Sequence, residues 1–106
     1  MFEKTFHATH PAMMAGASNA ELRDRHLVSG LFRAGELVLT YSHGERFIIG
    51  GAVPDGHALS LPDQTEPDSA AGHPLLERRE MSVVNIGSAS GRVIVDGRGF
   101  NLAPRE

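Results

Sequence analysis

The sequence predicts a mainly β domain, an antiparallel β-sandwich or jelly roll carrying one short N-terminal helix. Three observations predict it. From Leu27 onward apolar residues recur with a period of two in short runs, the pattern of half-buried strands. Glycine-rich breaks separate the runs, and Asp96-Gly97 stands between two alternating segments, where a tight hairpin turn needs positive φ at both positions. Hydrophobic residues make up 41% of the 106, enough to give one domain a core.

Residues 1–17 read as an irregular arm, broken by Pro11 and Gly16, with Met13 and Met14 as its clustered apolar bulk. Residues 18–106 read as the β domain. Its first element is a helix over 19–26. Ser18 and Glu21 have capping-box spacing, in which each side chain satisfies the other's free N–H. Polar residues outnumber apolar ones there, so the helix is placed on a surface.

Strands follow at 27–32, 36–41 and 46–53, with Ala34-Gly35 and Ser42-His43-Gly44-Glu45 as the turns between them. A brief strand is expected at 57–61. Residues 62–74 form the loop-like segment, rich in Pro, Asp, Ser and Gly. Leu75 to Glu80 then leads into a strand over 81–87, and 92–95 with 99–102 make the Asp-Gly hairpin. Ala103-Pro104-Arg105-Glu106 follows that strand at once, and this reads as a β domain truncated at its C-terminal edge.

Composition narrows the function classes. The formal charge is only −3, and the 10 Lys and Arg are scattered, which argues against nucleic acid and against a polybasic membrane surface. Without cysteine there are no disulfides, thiolate nucleophiles or Cys-based zinc sites. No apolar run approaches the roughly 18 residues of a membrane span. The N-terminus lacks a charged-then-apolar signal pattern, so a cytoplasmic location is the default expectation.

The six histidines invite a metal hypothesis, which the spacing does not favour. A strand-borne site takes imidazole and carboxylate donors two apart on one face, or gathered from several strands. His43 and Glu45, next to Tyr41, are the nearest approach, and they would share a face only if extended. Ser42 and Gly44 favour a turn there. His7 and His10 lie beside Pro11 in the arm and read as solvated, and His26, His57 and His73 stand alone.

No catalytic and no metal-binding residue is therefore assigned. Glu77-Arg78-Arg79-Glu80 is the densest charge cluster. Paired Arg side chains can fork onto carboxylates, and an interface or structural ion-pair role is favoured over substrate contact. Gly50-Gly51 and Gly87-Ser88-Ala89-Ser90-Gly91 open no helix after a strand, so they are bends rather than phosphate loops. No Gly-x-Ser-x-Gly elbow occurs.

Three segments together resemble a known family. They are Tyr41 to Gly51 (YSHGERFIIGG), Leu76 to Gly87 (LERREMSVVNIG) and Val93 to Gly97 (VIVDG), with Arg25-His26-Leu27-Val28 ahead of them. In order and approximate spacing they are similar to the N-terminal half of 4-deoxy-L-threo-5-hexosulose-uronate ketol-isomerase, also called 5-keto-4-deoxyuronate isomerase.

The resemblance implies a cupin-like jelly roll. It implies kinship with a hexameric two-cupin enzyme that isomerises an unsaturated-uronate product of pectin breakdown to a diketo sugar acid. It also implies a zinc centre held by His and Glu of the C-terminal half, outside the stretch this chain resembles, so no cofactor is expected here. Tyr41, His43, Glu45, Arg46, Arg78 and Arg79 are the residues expected to meet substrate or an interface. The expected role is scaffold and subunit contact, with a homo-oligomer or a second cupin domain as partner. A free-standing cupin-like module that binds a sugar acid or a protein partner is the alternative. An enzyme built on Tyr41, His43 and Glu45 is the third reading.

Overall fold

The computed structural model describes residues 1–106. Five strands and one α-helix form two open sheets. Strands β1 (Lys4–Phe6), β2 (Leu37–Ser42) and β3 (Phe47–Ala52) make a three-stranded sheet in the order β1-β2-β3. Strands β4 (Gly91–Val95) and β5 (Arg98–Leu102) make a separate hairpin. Between β1 and β2 lie a 3-10 turn at Pro11–Met13 and the helix α1 (Asn19–His26).

The helix occupies the span its sequence predicts and buries no residue. The Ser18 hydroxyl accepts the Glu21 N–H at 3.2 Å, half of the expected capping box. The Glu21 carboxylate instead reaches Arg25, one turn on, at 3.8 Å. Arg23, Arg25 and His26 in the last turn suit the negative end of the helix dipole.

The core is built on β2, which is flanked on both sides. Val38, Leu39 and Tyr41 are buried on it together with Thr40, and Leu75 and Gln64 close over from later in the chain. β3 pairs antiparallel with β2 from Leu37↔Ala52 to Ser42↔Phe47. Gly51 is required where it stands, because a Cβ there would run into the Leu31 carbonyl. The β4–β5 hairpin turns on Asp96 (φ 49°) and Gly97 (φ 78°), as the Asp-Gly pair predicts.

Several expected elements differ. Lys4–Phe6, inside the arm read as irregular, is a strand, and it pairs parallel with β2 (Lys4↔Thr40 to Phe6↔Ser42). The sheet is therefore mixed, not all antiparallel. The strand expected at 27–32 does not form. Gly30 adopts φ 67°, which breaks the extended run, and Leu31 lies against Gly51. The segments 57–61 and 81–87 have no strand partner, since an apolar alternating pattern needs a neighbouring strand before it becomes a ladder.

The 62–74 segment is a closed loop. It is pinned by a bridge between Asp63 and Pro74, and the Gln64 N–H donates to the His73 carbonyl at 2.8 Å.

Surface and shape differ from those of a compact monomer of this size. Its accessible surface is 7887 Å², against about 5,800 Å² for a folded monomer of this mass. The radius of gyration is 16.0 Å, where a compact chain of this length has about 13 Å. Only 7 of 106 residues are buried, so much of the apolar surface has nothing packed on it. Phe47, Val84, Ile86 and Ile94 are each more than 60% exposed.

Candidate functional site

The densest set of specific contacts surrounds Tyr41, the one large side chain that is fully buried. Tyr41 occupies the next-to-last position of β2, and its ring points into the only well-covered part of the molecule. Phe2 stacks on it with centroids 5.1 Å apart and planes 20° apart. The Arg79 guanidinium lies 5.7 Å from the ring centroid, within reach of a cation–π attraction. The phenol oxygen sits 3.2 Å from His43 Nδ1, which gives a buried hydroxyl its partner.

Arg79 ties three parts of the chain together. Its Nε donates to Gln64 Oε1 at 3.4 Å, and its Nη1 donates to the Arg46 carbonyl at the β2–β3 turn. Gln64 in turn donates from Nε2 to the Pro74 carbonyl at 3.0 Å. The result is a bridge from the β-hairpin through Arg79 to the closed 62–74 loop. A nearby bond, Thr5 Oγ1 to Glu66 Oε2 at 2.7 Å, joins β1 to the same loop.

The residues singled out from the sequence fall in different places. Tyr41, His43, Arg46 and Arg79 come together. Glu45 does not join His43 on a face, because residues 43–46 form the turn between β2 and β3, and its carboxylate accepts from the Ser42 hydroxyl. Arg46 takes φ 55° in that turn and contributes its carbonyl. Arg78 is exposed. Neither Arg78 nor Arg79 makes an ion pair within the chain. Arg79 is held by a ring, an amide and a carbonyl rather than by a carboxylate.

Gln64, Phe2 and His7 belong to this cluster and were not visible in the sequence. The His7 ring packs at 5.5 Å from His43, although it reads as a solvated residue of the arm. Nothing in the spacing of a lone Gln within a Pro- and Asp-rich loop marks it as a contact of an arginine fifteen residues later.

The donor set does not suit a zinc ion. No three His, Asp or Glu side chains converge anywhere in the chain, whereas a catalytic zinc takes three protein ligands. His43 Nδ1 is engaged by Tyr41. The cluster can hold a hairpin, a loop and the N-terminal segment in fixed register.

No helix of the chain is long and apolar enough to cross a membrane. No family model matches the sequence. Curated proteins do match, and all those that follow are named 4-deoxy-L-threo-5-hexosulose-uronate ketol-isomerase. The Kineococcus radiotolerans protein is 42% identical over 97 residues, which is 92% of this chain and 33% of that protein. The Cereibacter sphaeroides protein is 42% identical over 96 residues, 91% of this chain and 34% of its own length. The Caldicellulosiruptor bescii protein is 36% identical over 99 residues, 93% and 34% respectively.

The protein is thus a homologue of sugar-acid isomerases. It matches the 4-deoxy-L-threo-5-hexosulose-uronate ketol-isomerase family over nearly all of its residues, and it spans about a third of the length of the curated relatives it matches. The family resemblance carried by the Tyr41, Leu76 and Val93 segments is borne out.

Proposed function

We propose that the chain is the N-terminal, structural and subunit-contact part of a metal-dependent uronate ketol-isomerase acting in polyuronate breakdown. The observation that supports this is the homology itself: 42% identity along 92% of the chain, covering one third of the relative. A ketol-isomerase shifts a carbonyl to the neighbouring carbon, and that needs a positioned base and stabilised oxygens. In this reading the remaining two-thirds of the enzyme supplies the base and the zinc centre.

The specific contacts support a scaffold. Tyr41, His43, Arg46 and Arg79 are spent on one another and on the 62–74 loop. Arg78, exposed and without an ion-pair partner, is assigned to a contact with another subunit or with a second cupin domain. The surface in excess of a compact monomer is the area such contacts would cover. The two open sheets belong to a cupin-type jelly roll that is completed in the assembled enzyme, which works in the cytoplasm.

The experiment is an isomerisation assay on the purified 106-residue chain with added zinc, together with metal analysis after dialysis. We expect neither turnover nor stoichiometric zinc. Turnover with one zinc per chain overturns the scaffold assignment.

A further inference from the structure

The segment after Arg79 has a property that no role assigned so far uses. Residues Met81 to Val84, and Ile86, make no backbone hydrogen bond within the chain. Apart from Ser82 their side chains are apolar, and all are exposed, Val84 at 64% and Ile86 at 69%. Asn85 alone is anchored. It accepts at its carbonyl from the Arg105 N–H and donates from its N–H to the Glu106 carbonyl, both at 2.6 Å. Its side-chain amide donates to the Leu102 carbonyl at 3.0 Å and the Ala89 carbonyl at 2.8 Å. The segment is therefore held beside the outgoing end of β5 at one point, with the rest of its backbone unpaired within the chain.

An edge strand meant for water is normally protected by Lys, Pro or a bulge. From Met81 to Ser90 there is no charge and no proline. The alternation also differs from that of an edge. In an extended chain Met81 and Val83 project to one face, and Val84 and Ile86 lie on alternate positions of the other. Apolar residues on both faces mark a strand covered above and below. The β4–β5 hairpin shares this condition, with Ile94, Val95 and Phe100 exposed.

We infer that Met81–Ile86 is an acceptor strand, completed by strand pairing with a β-strand from the two-thirds of the isomerase that this chain does not span. The inference rests on the function proposed above. A second copy of the chain is the poorer occupant: pairing two such segments edge to edge would satisfy one row of backbone groups and leave both apolar faces in water. A larger body supplies the paired strand and the layer that covers it, and the relatives hold twice as much chain again as they share with this one. The pairing follows the general mode in which main-chain bonds give affinity and alternate side chains give specificity.

The test grafts this chain in place of the matching third of the Kineococcus radiotolerans isomerase. Amide hydrogen exchange is followed at residues 81–86 in the full-length graft and in the 106-residue chain. We expect exchange at 82–84 and 86 to slow at least 100-fold in the graft and to be unprotected in the chain alone at every concentration. Val84→Pro should abolish that protection in the graft. In the 106-residue chain it should leave the circular dichroism spectrum and the melting curve unchanged, because Val84 makes no backbone bond there.

Isomerase activity of the graft separates this inference from the one it rests on. An active graft whose 81–86 amides exchange freely overturns the acceptor strand and leaves the family role standing. An inactive graft with protected amides does the reverse. Protection in the 106-residue chain that rises with concentration, alongside a doubling of mass, assigns the strand to a second copy and overturns the inference.

Discussion

The guanidinium of Arg79 lies over the ring of Tyr41, 5.7 Å from its centroid, and so joins the first sheet to the residues that lead toward the second. One cation serves three neutral partners: a ring, the Gln64 amide and the Arg46 carbonyl. Arg suits this role because its planar fork stacks and donates in several directions at once.

Replacing Arg79 should therefore loosen the hairpin and the 62–74 loop together. Arg79→Ala is expected to cost about 1–3 kcal/mol, from the lost stacking and from acceptors left unpaired. Arg79→Lys should recover less than half of that, since an ammonium keeps the charge but not the fork. Arg78→Ala should stay within about 0.5 kcal/mol, as expected of an exposed site without partners. Urea unfolding of the three variants checks the order. Equal losses at both arginines would remove Arg79 from its place as the tether.

Gly51 faces the Leu31 carbonyl so closely that no side chain fits. Gly51→Ala should destabilise the chain by about 1–3 kcal/mol through overpacking and should push the 27–32 segment off β3. Gly44 meets Ala8 only at ordinary contact distance, 3.4 Å, so Gly44→Ala should change stability by less than about 1 kcal/mol. Thermal unfolding and exchange at residues 29–33 distinguish the two.

The cap of α1 is carried by one hydroxyl. Ser18→Ala should cost about 1 kcal/mol, read by thermal unfolding or by faster exchange in the first helical turn. Glu21→Gln should cost only a few tenths of a kcal/mol, the worth of an exposed i,i+4 pair, because its carboxylate faces Arg25 and not the cap.

Elements with short-range signals were legible in the sequence. Ser18 and Glu21 mark the start of α1. Asp96-Gly97 marks the β4–β5 turn, and the alternation on either side of His43-Gly44 marks β2 and β3. What escaped has a common cause. β1 is three residues long and pairs in parallel with a strand more than thirty residues away, so no local pattern announces it.

The apolar runs at 27–32, 57–61 and 81–87 were legible as residues that need covering, but periodicity does not say whether a partner strand lies within the chain. The site divides the same way. Tyr41, His43, Arg46 and Arg79 stood out by type. Gln64 and Phe2 did not, because contacts between distant segments leave no trace in spacing.

We propose that this chain holds shape and contributes no reacting group to the isomerase. The most direct test is the kcat of the full-length graft carrying Tyr41→Phe, His43→Gln and Glu45→Gln together, compared with the unmodified graft at matched folded fraction. The account predicts a kcat within about threefold of the unmodified graft. A fall of about 100-fold or more, the size of effect that follows loss of an acid or base, would contradict it.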